Sequence, residues 1–559
     1  MRPRLATLAS SLGASLAALA APVAAAQPVR PYRPAVDVLD YEFALSLPDS
    51  GAALDAQATV RFVRAAPTDT LVLDLIGLRV RDVRVDGRAA RFARDSATVR
   101  VALPRARAAG GAGDTLTAVV RYDGEPRDGL IVSRDSAGRW LAFGDNWPDR
   151  ARHWLATVDH PSDKATVTWV VTAPSSRTVV ANGELVDERD APAAVRKDGG
   201  GAPRRVTRWR TTRPIPTYLM VIAAAPLVRV DLGETACGLG EVRRCVPQSV
   251  YVAPEVRDFA PGPFAQAEEI VRFFATLVAP FPYEKLAHLQ SSTRFGGMEN
   301  AGAIFYSDRA FRRRTLGVGL VAHETAHQWF GDAATEREWA HLWLSEGFAT
   351  YWAALYARRA EGDSAFRDQM RDIRARVVES PVSAARPVID TAETTYMRLL
   401  NTNSYQKGGW VLHMLRSTLG DSAFFGGVRA YYLAHRHSTA VTDDLRRALE
   451  TASGRELGWF FDQWLRRPGF PELTTRWRHD AATGRVLLTV TQGARFGAYR
   501  FPLAVAVEDA DGRWHRTRVE VPAEREVTLP LAVPLSAPPR AVRLDPDVEL
   551  LATFDAAAR

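Results

Sequence analysis

Over the first two fifths of the chain, apolar residues recur at every second position. Val99, Val101 and Leu103 alternate with Arg100 and Ala102, and Val83 and Val85 flank Arg84. A period of two is that of a strand with one face in water. The pattern runs from about residue 36 to 230 and predicts a large antiparallel β domain. Gly- and Asp-rich breaks at 110–114 and 198–201 read as surface loops. From about Phe264 the composition turns helical, with helices predicted over 265–277, 317–329, 345–360, 363–378, 408–417 and 443–451. The cluster Pro468-Gly-Phe-Pro471 punctuates the end of this part. Alternation then returns at Val486–Val490, at Leu503, Val505 and Val507, and at Val519–Val521, enough for one small β-sandwich.

These segments predict a multidomain α+β fold. An N-terminal β domain occupies 27–245, a mostly helical catalytic domain 246–468, and a C-terminal β-sandwich 469–559. A chain of 559 residues is too long for one core. Its 47% apolar content is ample for packed domains. The net charge of +8 comes from 72 basic and 64 acidic residues intermixed along the chain. No Lys/Arg block stands out, so the surplus reads as a solvated surface, and nucleic acid is not an expected partner.

The N-terminus changes the picture of location. Arg2 and Arg4 precede a charge-free stretch that closes on Ala24-Ala25-Ala26. Basic start, weakly apolar middle and small-residue end are the parts of a secretory signal peptide over 1–26. The expected location is periplasmic or extracellular, with no stable membrane insertion once the signal is removed. Cys237 and Cys245 are the only cysteines, and in an exported protein they either close a small loop as a disulfide or remain thiols.

The candidate chemistry lies at His323-Glu-Thr-Ala-His327, an H-E-x-x-H pattern. Imidazoles four residues apart on a helix share one face, one turn apart, and can reach one metal ion. Glu324 sits near that ion without having to bind it. Glu346 follows His327 after 18 intervening residues, at the start of the next predicted helix. Two His and one carboxylate leave one tetrahedral position of zinc open for water, the arrangement of a catalytic site. Zinc lowers the pKa of such a water to ~7, and Glu324 is placed to take its proton. An oxyanion formed on a substrate carbonyl also needs a donor, for which a Tyr hydroxyl is suited. Spacing alone does not choose among the 14 tyrosines.

A second pattern, Gly296-Gly297-Met298-Glu299-Asn300, precedes the first. Taken alone it is a turn with an ordinary carboxylate. Together, Gly296-Gly-Met-Glu-Asn300, His323-Glu-x-x-His327 and the spaced Glu346 resemble the M1 zinc aminopeptidases, or gluzincins. Ser404-Tyr405-Gln-Lys-Gly408 resembles the family's Y-x-K-G segment. The resemblance extends upstream through Ala151-Arg-His-Trp154, Asp159-His-Pro-Ser-Asp-Lys-Ala165 and Val179-Val-Ala-Asn-Gly-Glu-Leu185, and downstream through Pro468-Gly-Phe-Pro471.

The resemblance implies a thermolysin-like catalytic domain with one Zn2+ per chain, held by His323, His327 and Glu346. Glu324 would be the general base and Tyr405 the oxyanion donor. Gly296, Gly297, Met298, Glu299 and Asn300 would bind a peptide with a free N-terminus, Glu299 taking its α-ammonium and the glycines offering backbone. Many members carry a further Gln or Glu for the ammonium where this chain has Trp147, in Gly144-Asp-Asn-Trp-Pro148. The clamp then rests on Glu299 and Glu346, with Asp145 a candidate. A zinc endopeptidase and a catalytically silent peptide-binding scaffold are the alternatives. His341, His413, His435 and His437 lack ligand-like neighbours in sequence and read as structural or surface residues.

Overall fold

The computed structural model describes residues 35–106, 113–192, 203–533, 535 and 537–556. The expected signal peptide at 1–26 and the Gly-rich breaks at 110–112 and 198–201 lie outside the described residues. The chain forms two compact units. One comprises the described residues through Glu338 together with His435–Ala440, and the other comprises Trp339–Ala434 and the described residues from Val441 onward.

The first unit opens with β1 (Val36–Ser46) and β2 (Leu54–Arg64), paired antiparallel. Val38, Tyr41, Phe43 and Leu45 of β1 are buried while their neighbours are at least partly wet, as alternation predicts. β3 (Thr115–Gly124) adds to β2, and β4 (Trp140–Gly144) belongs to a separate four-stranded sheet. β5 (Lys164–Pro174) lies on the other side of β1 but runs parallel to it, the one parallel pairing in an otherwise antiparallel nine-stranded sheet.

A five-stranded sheet follows, which the period-two reading did not find. It consists of β6 (Val228–Glu234), β7 (Pro247–Val252), β8 (Leu286–Ser291), β9 (Gly297–Met298) and β10 (Ala303–Ser307), ordered β6-β7-β8-β10-β9. β7, β8 and β10 are parallel, and β9 is an antiparallel edge. All six residues of β8 are buried. A strand covered on both faces loses the alternation that would reveal it. Between β7 and β8 runs helix α1 (Ala267–Leu277), and α2 (Val318–His327) carries the two histidines. Cys237 and Cys245 form a disulfide in this unit.

The second unit begins with α3 (Trp343–Glu361) and α4 (Asp363–Glu379). A π-helical turn, Asn403–Lys407, runs into α5 (Gly408–Leu419), and α6 (Asp421–His435) follows. α6 escaped the sequence reading because Gly426 and Gly427 interrupt its helix formers. Leu449 packs directly over Gly427, where a side chain would not fit. Two sheets complete the unit, one of four strands and one of three. Leu473, Val486, Leu488 and Val490 of the first and Leu503, Val505 and Val507 of the second are buried, the alternation expected of a sandwich. No helix among the described residues is long and apolar enough to cross a membrane.

Candidate metal centre and active site

In the first unit, α2 begins after Gly317 and contains no proline, so nothing interrupts the helix between its histidines. His323 and His327 stack edge to face with ring centroids 4.8 Å apart, and their Nε2 atoms are 3.2 Å apart. His327 Nδ1 lies 3.2 Å from the carbonyl oxygen of Phe330. A carbonyl only accepts, so Nδ1 carries the proton and Nε2 keeps its lone pair. That is the second partner a metal-binding imidazole commonly has. Two buried imidazole nitrogens turned toward each other fit a cation between them.

Glu324 is buried beside them. Ligand-type atoms of Glu299, Glu324 and His327 all lie within 4.8 Å of one another. Two carboxylates brought that close inside the protein cannot both stay ionised without a nearby cation, and otherwise share a proton. A metal ion and a substrate ammonium are both suited to be that cation.

Sequence reasoning missed the residues that hold this cluster together. Gln328, directly after His327, donates from Nε2 to Glu299 O at 2.7 Å and to Asp332 Oδ2 at 2.8 Å, while Gly302 N donates to its Oε1 at 2.8 Å. One amide thus joins the end of α2 to the segment bearing Glu299. Burial, and then the charge of Glu299, hold the Asp332 carboxyl well above the usual range. Asn182 Nδ2 donates to Ala301 O at 3.0 Å and Leu219 O at 2.8 Å. Lys164 Nζ donates to Asp332 O, Ala333 O, Thr335 Oγ1 and Ser438 O at 2.8–3.2 Å. Burial pulls its pKa down to about 7 against the charges of Asp332 and Glu336. Asn182 and Lys164 both stand inside upstream segments that carried the family resemblance, and their roles are visible only in three dimensions.

The strand β9 places the five-residue motif. Gly297 pairs with Tyr306 and Met298 with Phe305, at the open edge of the sheet. Met298, Glu299 and Asn300 are buried, whereas Gly296 is exposed. Gly296 gives its carbonyl to Ser307 N at 3.0 Å, inside the sheet, and Gly297 is half-buried at the edge.

Trp147 is buried with its ring edge-to-face against Phe295, centroids 6.2 Å apart. Asp145 is fully buried. Arg150 Nη2 donates to its Oδ1 at 2.9 Å, and the Arg294 side chain stands 3.4 Å from its Oδ2. With a guanidinium on each oxygen, Asp145 is already paired within this unit.

In the second unit, Glu346 lies buried in the first turn of α3. Tyr405 is half-buried in the π-helical turn. That turn is anchored by Asn403 Nδ2, which donates to Arg386 O at 2.9 Å and Pro387 O at 3.1 Å, and by Ser404 Oγ, which donates to Leu399 O at 2.6 Å. Single π turns inside helices are frequent at functional sites. α3 and α5 meet at Gly347 and Gly408, so closely that a side chain on Gly347 would stand 3.0 Å from Gly408 Cα. The four histidines read as structural have ordinary partners. His341 meets Thr442 Oγ1, His413 meets Tyr351 and Val548, His435 meets Thr439 O, and His437 meets Glu241.

Comparison with known proteins agrees with these features. The Peptidase M1 N-terminal domain model matches residues 38–219, and the Peptidase family M1 domain model matches residues 264–464. Aminopeptidase N of Streptomyces lividans is 28% identical over 469 residues, covering 79% of this chain and 52% of that protein. The chain thus spans about half the length of the curated relatives it matches. The crystal structure of an M1 zinc metallopeptidase from Deinococcus radiodurans superposes with a TM-score of 0.66 at 28% identity, covering 77% of this chain and 93% of that one. A variant of that protein, bound to a Tyr-Ser-Ala substrate, superposes with a TM-score of 0.66 at 27% identity, covering 77% and 94%. The two family models, which together take in both α2 and Glu346, make this chain a member of peptidase family M1.

Proposed function

We propose that the chain is a zinc-dependent aminopeptidase that removes N-terminal residues from peptides. One observation carries the reading: Glu299, Glu324 and His327 share a single buried cluster. It puts a carboxylate suited to an ammonium beside a carboxylate suited to proton transfer and an imidazole suited to zinc. Residues 246–468 would be the catalytic domain, between domains at 27–245 and 469–559, in a protein exported by its signal at 1–26.

His323, His327 and Glu346 are the ligand set for one zinc ion. When bound, zinc supplies an acidified water and polarises the scissile carbonyl. Glu299 pairs with the α-ammonium and thereby sets the distance from the amino terminus to the reacting carbonyl. Gly296 and Gly297 present backbone to the peptide, which adds as a strand along the edge β9. Glu324 accepts the proton of the attacking water and returns it to the departing amine. Tyr405 donates its hydroxyl to the developing oxyanion.

Glu324→Gln should abolish hydrolysis of aminoacyl anilides while the protein still retains one zinc by elemental analysis. Unchanged turnover would remove Glu324 from the mechanism. N-acetylation of a peptide substrate should block cleavage, because the ammonium partner of Glu299 is gone. Efficient internal cleavage of the acetylated peptide would make the enzyme an endopeptidase instead.

A further inference from the structure

A cavity in the first unit, of about 170 Å3, lies apart from the histidine helix. It is bounded by the segments that leave the carboxyl ends of three parallel strands. Val256 follows β7, Ser292 follows β8, and Asp308 follows β10. Ligand sites in open sheets with parallel strands favour this position, because the loops there diverge and leave a crevice. Its lining combines apolar side chains, of which Phe143 and Leu227 are buried, with charged ones of both signs, among them the exposed Arg134 and Arg312 and the carboxylates of Glu255 and Asp308. The Ser292 hydroxyl is buried with no hydrogen-bond partner among the described residues, an open valence on the lining of the cavity.

The cavity is joined to the edge strand. Ser307 N donates to Gly296 O at 3.0 Å, and Asp308, the next residue, lines the cavity. Gly296 stands just before β9 and Glu299 just past its end. A peptide with its ammonium at Glu299 and its backbone against Gly297 must therefore run antiparallel to β9. At about 3.4 Å per residue, its third and fourth residues pass Gly296, which is bonded to Ser307 beside the cavity-lining Asp308.

We propose that this cavity is a distal subsite that takes an apolar side chain from the third or fourth residue of a peptide substrate, an inference that rests on the aminopeptidase reading above. The apolar part of the lining receives the side chain, and Ser292 Oγ bonds a peptide group of the substrate. The site makes the enzyme sensitive to substrate length and to downstream sequence, neither of which an aminoacyl anilide can probe.

The test compares the full-length zinc enzyme with Ser292→Phe and Val256→Trp, two fillings of the cavity from different strands. Substrates are an aminoacyl anilide and a series from dipeptide to pentapeptide with leucine or aspartate at the third and fourth positions. The native enzyme should show a kcat/KM about tenfold higher for leucine-bearing tetrapeptides than for dipeptides. Either filling should erase that gain and leave anilide hydrolysis within about twofold. A gain that persists in both fillings, with anilide turnover intact, overturns the subsite, as does an equal gain for aspartate. If the native enzyme hydrolyses no anilide or peptide, it is the aminopeptidase reading that fails.

Discussion

Gly297 packs directly against Glu324: a side chain at Gly297 would place its first carbon 2.8 Å from Cγ of Glu324 and closer still to its carboxylate. The edge strand and the proposed general base are thus fitted to each other. Gly297→Val should push the carboxylate out of position, lowering kcat by about 100-fold, the scale of a general base's contribution. Zinc content should be unchanged. Gly297→Ala, whose single carbon a flexible carboxylate can partly avoid, should cost less. Steady-state kinetics beside metal analysis decides it, and native kcat in the valine variant would refute the contact.

Gly347 and Gly408 bring α3 and α5 into backbone contact in the second unit. Glu346 precedes the first glycine and Tyr405 lies three residues before the second, so the contact fixes the backbones that carry the proposed zinc ligand and the proposed oxyanion donor. Gly347→Ala meets backbone at 2.9–3.0 Å, which cannot rotate away. A cost of about 1–3 kcal/mol is expected, with a fall in kcat larger than any change in KM. Urea unfolding and kinetics together check both parts. A variant of native stability and rate would mean the helices separate freely.

Lys164 gathers three carbonyls and one hydroxyl around its ammonium at the turn after α2. Lys164→Met keeps the length of the side chain but leaves those acceptors without their donor. The expected loss is about 3 kcal/mol, read as a lower urea midpoint with an unchanged slope. A shift below experimental scatter would show that water replaces the ammonium there.

His413 is buried in the second unit, and its neutral form is fixed by its partners. Nε2 donates to Val548 O at 2.8 Å, which leaves Nδ1 to accept from the Tyr351 hydroxyl at 3.1 Å. Burial, and then the charges of Arg416 and Arg358, press its pKa down to about 4. An unfolded imidazole takes a proton below about pH 6.5, and the folded one refuses it until about pH 4. Stability from this group is therefore complete above pH 6.5 and falls as pH drops through that window, by about 3 kcal/mol in all. His413→Gln can keep both hydrogen bonds without titrating, so its unfolding free energy should change less between pH 6.5 and 4. An identical slope in variant and native protein would remove His413 as the cause.

The sequence by itself determined the parts whose physics is local. The i,i+4 spacing of His323 and His327 already places both rings on one helix face. Alternation exposed β1, the first sheet and the closing sandwich, because each of those strands keeps one wet side. The motif around Glu299 could be recognised but not explained, since nothing local distinguishes Gly297 from a turn. Tertiary structure alone decided what depends on long-range approach. It brought Glu299 and Glu324 together across separate elements, and it engaged Asp145 with Arg150 and Arg294. It also revealed β8, hidden because burial on both faces removes the pattern. Lys164 and Gln328 belong with these, because a donor's role is set by where its acceptors lie, and theirs come from distant parts of the chain.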